Sequence, residues 1–180
     1  LITKVAGMDL IEIDALRIDK TIDAYFHWKQ LDAELRGLST RGINFPSEIS
    51  ENLACYALGY KLNKASGGDA YDPTRNMIIE MKASSSTKDT APSSFSPKES
   101  FDELVFIKLN RYEDCIDIYL TGLSSEDIKL IKVNKGETVA QQQASGRRPR
   151  FSIMDKIIIP NKMKPNVIFD MRRRTIKKNN

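Results

Sequence analysis

The chain has 180 residues, of which 41% are hydrophobic and 29% charged, enough for one buried core and too few for two comfortable ones. It carries one histidine and two cysteines, which rules out a zinc constellation, paired-histidine phosphodiesterases and a disulfide framework. A net charge of +4 at pH 7 tilts the partner toward an anion without identifying it.

Cys55 and Cys115 lie in apolar surroundings and read as buried thiols of a reduced, cytoplasmic protein. No apolar run is long enough to span a membrane, and no secretory leader pattern is expected from the sequence. A Ser/His/Asp hydrolase would have to use His27, which sits beside Trp28 in an amphipathic pattern and reads as structural.

In chain order, Ile18, Ile22, Tyr25, Phe26, Leu31, Leu35 and Leu38 recur mainly at three- and four-residue steps. That spacing predicts a long amphipathic helix from Asp14 to about Leu38, a packing helix that is also a candidate dimer element. Arg41 to Pro46 reads as a loop, with Ser47 as N-cap of a second helix running from Glu48 to about Leu58 and stopped by Gly59. Two readings of Glu51 stand: an acid in the favourable early part of the helix, or a carboxylate leaning over a site.

Ser66 to Ser84 offers a Gly-Gly-Asp turn, a second turn at Asp72-Pro73, and the apolar run Met77-Ile78-Ile79 ending in Glu80-Met81-Lys82. Alternation along a strand sends Glu80 and Lys82 to one side, Ile79 and Met81 to the other. With Asp69 on an adjoining strand, two carboxylates and one ammonium converge, and two carboxylates with a phosphate make an all-oxygen site suited to Mg²⁺. Asp72 reads as a turn residue.

Ser84 to Lys98 is rich in Ser, Thr and Pro and reads as a loop, either closing over a substrate or lying on the surface. Leu104 to Leu109 and Cys115 to Leu120 are strands joined in a hairpin. Ser124 to Leu130 begins with a capping pattern and reads as a short helix, and Val133 to Gly136 leads to a turn. Thr138 to Ala144 is helix-forming and holds Gln141, Gln142 and Gln143, followed by Gly146, Arg147, Arg148, Pro149 and Arg150.

Gln and Arg read base edges in bidentate fashion, and Arg also neutralises phosphate. Gln141, Gln143, Arg147, Arg148 and Arg150 are therefore candidate DNA contacts, although basic residues also commonly close a helix end. Ile153 to Ile159 is helix or strand, and Val167 to Asp170 reads as the final strand before Arg172, Arg173 and Arg174. The basic C-terminal half facing an acidic pocket suits a nucleic acid. The whole, residues 1–180, reads as one α/β (α+β) domain with a central mixed β-sheet flanked by helices.

An isolated ExK is weak. The order of a helix with Glu51, a hairpin carrying Asp69 and then Glu80-x-Lys82, and a further strand is stronger, and resembles the PD-(D/E)xK nuclease superfamily, with Gly68 where Pro is usual. FPSEISENLACYALGY, SGGDAYDP, IIEMKAS, FDELVFIKL and SGRRPRFSI together resemble a small family of type II restriction endonucleases that cut GCNGC. The likeness runs from about Tyr25 to Arg173.

That resemblance implies Mg²⁺ held by Asp69, Glu80 and the backbone carbonyl of Met81. It implies Lys82 beside the attacking water, Glu51 as an extra carboxylate, and 5′-phosphate products. It also implies double-stranded DNA as substrate, a homodimer reading a palindrome, and a cognate DNA methyltransferase protecting the host. Two rivals are a repair or junction nuclease with the same metal residues and a non-catalytic DNA-binding module.

Overall fold

The computed structural model describes residues 5–96, 100–133 and 136–179. The last part of the expected Ser-rich loop, at 97–98, and the expected turn at 134–135 lie outside the described residues.

The first helix, α1 (Ala15–Leu38), is capped by Asp14, whose carboxylate accepts the Arg17 N–H at 2.7 Å. It buries a stripe of Ile18, Ile22, Tyr25, Trp28 and Asp32, each residue about one turn after the last, as a single helix face requires. The second helix, α2 (Ser47–Leu58), packs against it. Its N-cap is Pro46, not Ser47 as expected. Proline has no side-chain acceptor, so that end carries no side-chain cap, and Ser47 already lies in the helix, its carbonyl accepting from the Ser50 hydroxyl. Gly59 closes α2 at φ 74°, a left-handed conformation suited to glycine.

Among the described residues eight strands form one mixed sheet. In chain order they are β1 (Leu10–Ile11), β2 (Lys61–Asn63), β3 (Ala70–Asp72), β4 (Met77–Ser84), β6 (Glu103–Asn110), β7 (Cys115–Leu120), β9 (Val167–Asp170) and β10 (Thr175–Lys178), and this is also their spatial order. Within these strands only β4 and β6 run parallel, with Glu80 opposite Leu104 and Lys82 opposite Phe106. A separate ribbon pairs β5 (Ser93–Ser94) with β8 (Arg150–Phe151). Two short helices, α3 (Ser125–Lys129) and α4 (Val139–Ala144), are each begun by a capping box.

The sheet separates two apolar clusters. Ile79, Met81, Val105, Ile107, Ile116, Ile118 and Phe169 pack with α1 and α2. Leu104, Phe106 and Tyr119 pack with Phe95, Phe151, Ile128, Val139 and Ile157. Alternation therefore turns Glu80 and Lys82 toward the second cluster's side while Ile79 and Met81 anchor β4 to the helices.

Several expectations need correction. Val167–Asp170 is not the last strand, because β10 follows and pairs back on it through four residues; its charged, exposed sequence hides it. Ile153 to Ile159 is resolved in favour of helix, with a π-type turn at Met154–Ile158. His27 is exposed on α1 rather than packed. The end of the Ser-rich segment is pinned. Phe95 donates its N–H to the Pro149 carbonyl at 3.1 Å, its ring stacks on Phe151 at 4.9 Å, and the Gln143 amide donates to the Ser96 carbonyl at 2.9 Å. Further back, the Ser152 hydroxyl donates to the Asp89 carbonyl.

The β6–β7 hairpin docks on α1 through buried Asp114, which stands at φ 54°. Its carboxylate accepts from the Tyr25 hydroxyl at 2.7 Å, Lys29 Nζ at 2.5 Å and Arg172 Nε at 2.6 Å. Burial alone would raise the Asp114 pKa, but these donors outweigh it and hold the carboxyl below its ordinary range. Arg173 pairs with Asp170 at 3.5 Å and Arg174 with Asp19, so all three C-terminal arginines have carboxylate partners.

Candidate active site

Asp69 is presented by a loop that buried Asn63 organises. The Asn63 side-chain Oδ1 accepts the N–H groups of Asp9 and Ala65, each at 3.0 Å, and its Nδ2 donates to the carbonyls of Ser66 and Gly68. Gly68 stands at φ 90°, and a Cβ there would lie 2.5 Å from Ile78 Cγ2 and 3.1 Å from the Ile79 carbonyl oxygen. The proline usual in the superfamily could not adopt this backbone, since its ring fixes φ near −65°. Glycine here is a steric requirement.

From this position Asp69 is bracketed onto β4. Its N–H donates to the Ile79 carbonyl at 2.9 Å, and its Oδ2 accepts the Met81 N–H at 2.6 Å. Lys82 Nζ donates to Glu80 Oε1, and the ammonium lies 5.6 Å from the centre of the Phe95 ring. Glu80 is buried, at 3% exposure. A buried carboxylate persists as an ion only when paired, and Lys82 supplies the charge.

Beneath the hairpin, Arg75 ties Asp72 to Glu103 at 2.5 Å each and reaches the Tyr60 hydroxyl at 2.6 Å. Asp72 Oδ1 accepts the N–H groups of Thr74 and Arg75, so it holds the turn. Asp102 Oδ2 accepts the Ile78 N–H at 2.8 Å and fixes the start of β4.

Glu51, from α2, completes the group. It lines a cleft of about 280 Å³ together with Asp69, Met81 and Lys82. Its pKa is raised to about 8, first by burial and then by the charges of Asp69, Glu48 and Glu80, against the opposing pull of Lys82. Crowded carboxylates of this kind favour a proton or a cation. Among the described residues no three His, Cys, Asp or Glu side chains gather closely enough to hold a metal alone. A cation here would take Asp69, Glu80 and the Met81 carbonyl, with water and phosphate oxygens as the rest, the oxygen-only set that suits Mg²⁺.

The candidate DNA contacts lie elsewhere, on α4 and the segment leading to β8. Gln141 Oε1 accepts the Thr138 N–H at 2.7 Å in the capping box, Gln143 donates to Ser96, and Arg147 pairs with Glu137 at 2.9 Å. Arg148 and Arg150 are exposed. Arg150 sits directly opposite Ser94 in the small ribbon, next to the Phe95 that underlies Lys82. Asn63, Phe95 and Asp102 escaped sequence reasoning; their partners are distant or backbone groups, and nothing in local pattern marks them.

No helix among the described residues is long and apolar enough to cross a membrane. The family model described as "Bsp6I restriction endonuclease" matches residues 13–160. The chain is 46% identical over 168 residues to the type II restriction enzyme Bsp6I of Bacillus sp. (strain RFL6), covering 93% of this chain and 96% of that protein. No solved structure gives a significant match.

Proposed function

The chain belongs to the Bsp6I restriction endonuclease family, and on that premise we propose that it is a type II restriction endonuclease hydrolysing double-stranded DNA with Mg²⁺ at GCNGC. The observation that carries this reading is that Asp69 and Lys82 line one cleft with Glu51, with Glu80 paired to Lys82 and close enough to act on Glu51. A mere DNA-binding module has no need of crowded, like-charged carboxylates, one of them buried, beside a lysine.

In this mechanism Asp69, Glu80 and the Met81 carbonyl would hold Mg²⁺, which would supply Lewis acidity and a lowered pKa for bound water. Lys82, kept as an ammonium beside Glu80, orients the attacking water and offsets charge on the phosphate, while the water's proton passes to solvent. Water adds in line to phosphorus, the bond from phosphorus to the 3′ oxygen breaks, and that oxygen takes a proton, giving a 5′-phosphate and a 3′-hydroxyl. Glu51 supplies a further carboxylate from α2.

A palindromic target calls for a homodimer with one site per strand. Leu16, Leu31 and Leu38, exposed on α1 by 64%, 48% and 84%, support that helix as the dimer element. Gln141, Gln143, Arg147, Arg148 and Arg150 supply the base and phosphate contacts. Arg148 and Arg150 are the strongest of these, because the other three already have protein partners. A DNA methyltransferase of matching specificity would protect the host.

Incubating unmethylated plasmid with Mg²⁺ or EDTA and sequencing the ends tests activity, metal need, target and chemistry together. A discrete ladder ending at GCNGC is expected. Smeared or branch-restricted cutting would favour a repair nuclease, and no cleavage by folded protein with any divalent metal would sink the enzyme reading.

A further inference from the structure

A second cleft, of about 580 Å³, opens between the segment after α1, the beginning of the Ser-rich segment and the β6–β7 turn. Arg36, Arg41, Lys88 and Arg111 line it, and among the described residues no acidic side chain does. Beneath lies Asp32, fully buried, whose carboxylate accepts from Arg36 Nε at 2.9 Å and the Ile43 N–H at 2.6 Å and pairs with Arg111 Nη1 at 2.8 Å. One carboxylate therefore serves two guanidiniums, and Arg41 and Lys88 add two more positive charges.

The arrangement is built rather than incidental. The Arg111 guanidinium also stacks over Trp28 at 4.8 Å, and its Nε and Nη2 are buried without a hydrogen-bond acceptor among the described residues. Gly42 lies directly on the Asp32–Arg36 pair: a Cβ there would collide with Asp32 Oδ1 and stand 2.6 Å from Arg36 Nε. The backbone can rest on the pair only because residue 42 lacks a side chain. Fixed guanidiniums in excess over carboxylate are the chemistry that recognises phosphate.

The position of this cleft says which phosphate. Asn44 and Ser85 line it, whereas Phe45 and Ala83 line the catalytic cleft, so the two are neighbours along the same pair of segments. Tyr112, 89% exposed, stands at the rim, an aromatic surface for sugar or base.

We propose that this cleft binds backbone phosphates of the DNA strand next to the scissile one, with Arg41 and Lys88 contacting phosphate and Asp32 positioning Arg36 and Arg111. The proposal rests on the endonuclease reading above. Its test is duplex binding by fluorescence anisotropy in EDTA, over a range of salt, so that cleavage plays no part.

The double variant Arg41→Ala/Lys88→Ala, at two exposed positions, should bind duplex about tenfold more weakly, and its salt slope should fall by about 0.9 for each phosphate that is no longer neutralised. The charge-matched Lys61→Ala/Lys129→Ala, whose lysines already pair with Glu12 and Glu126, should keep the affinity and slope of the unmodified chain. Equal losses in both variants, or none in either, would overturn the assignment. A thermal shift caused by inorganic phosphate, lost in Arg41→Ala/Lys88→Ala while the salt slope stays unchanged, would overturn it in favour of a free anion. Failure of the folded, unmodified chain to bind or cut any duplex would overturn the endonuclease reading itself, and this occupant with it.

Discussion

The two clefts, one lined by Phe45 and Ala83 and the other by Ile43, Asn44 and Ser85, follow opposite electrostatic plans. In one, Asp69 and Glu51 stand with Lys82, whose ammonium pairs with Glu80, and Glu51 is pushed up to about 8 by burial and its carboxylate neighbours. In the other, two arginines crowd around buried Asp32. Burial alone would raise that carboxyl, but Arg36, Arg111 and the Ile43 N–H outweigh it and hold the pKa below its ordinary 3.8. An excess of negative charge invites a cation; an excess of positive charge invites a phosphate. Side by side, the two meet complementary needs of one DNA strand.

The comparison breaks most visibly through chemistry. Lys82→Ala should lower single-turnover cleavage about 10²–10⁴-fold while duplex affinity in EDTA stays close to that of the unmodified chain. A parallel loss of binding would merge the two clefts into one function.

Next in size is the pairing of buried carboxylates. Asp114→Asn should destabilise the fold by about 1–3 kcal/mol in denaturant melts, since it removes a buried acceptor from Tyr25, Lys29 and Arg172 while the two cations keep access to water. Asp32, Asp72 and Asp114 all have depressed pKa values. Their stabilisation is therefore fully present above the ordinary 3.8 and is lost as pH falls through their lower folded values. Acid unfolding followed by circular dichroism should show that loss below about pH 4, with a flatter slope in Asp114→Asn. An unchanged slope would remove Asp114 from the account.

Gly68→Ala should cost about 1–3 kcal/mol of stability, because it forces a side chain into φ 90° against Ile78. Its cleavage should fall further than that loss alone predicts, since Asp69 follows directly; equal melts and rates for variant and parent would show that the loop tolerates a Cβ. The smallest effect is expected at Arg173→Ala, within about 0.5 kcal/mol in melts, because its side chain is 82% exposed and its partner is 3.5 Å away.

What was legible in the sequence was what alternation and local order encode. Glu80 and Lys82 share a side because strand geometry has a period of two, and the long helix declared itself by its apolar steps. The short strands Leu10–Ile11 and Lys61–Asn63 hold too few residues to display a period. Thr175–Lys178 carries charge on an exposed edge, the composition of a tail. Asp32 and Arg111 are 79 residues apart, so only the folded chain reveals their pairing. The likeness to a restriction family was readable in whole phrases of sequence. Which arginines are spent on the protein's own carboxylates was not.

The small β5–β8 ribbon has a mechanical consequence. Ser94 pairs with Arg150 and Ser93 with Phe151, Phe95 hangs from Pro149 by its backbone, and its ring lies under the Lys82 ammonium. The floor beneath the lysine, a stacked pair of rings, is thus carried by the same two-residue ribbon that holds the exposed arginine.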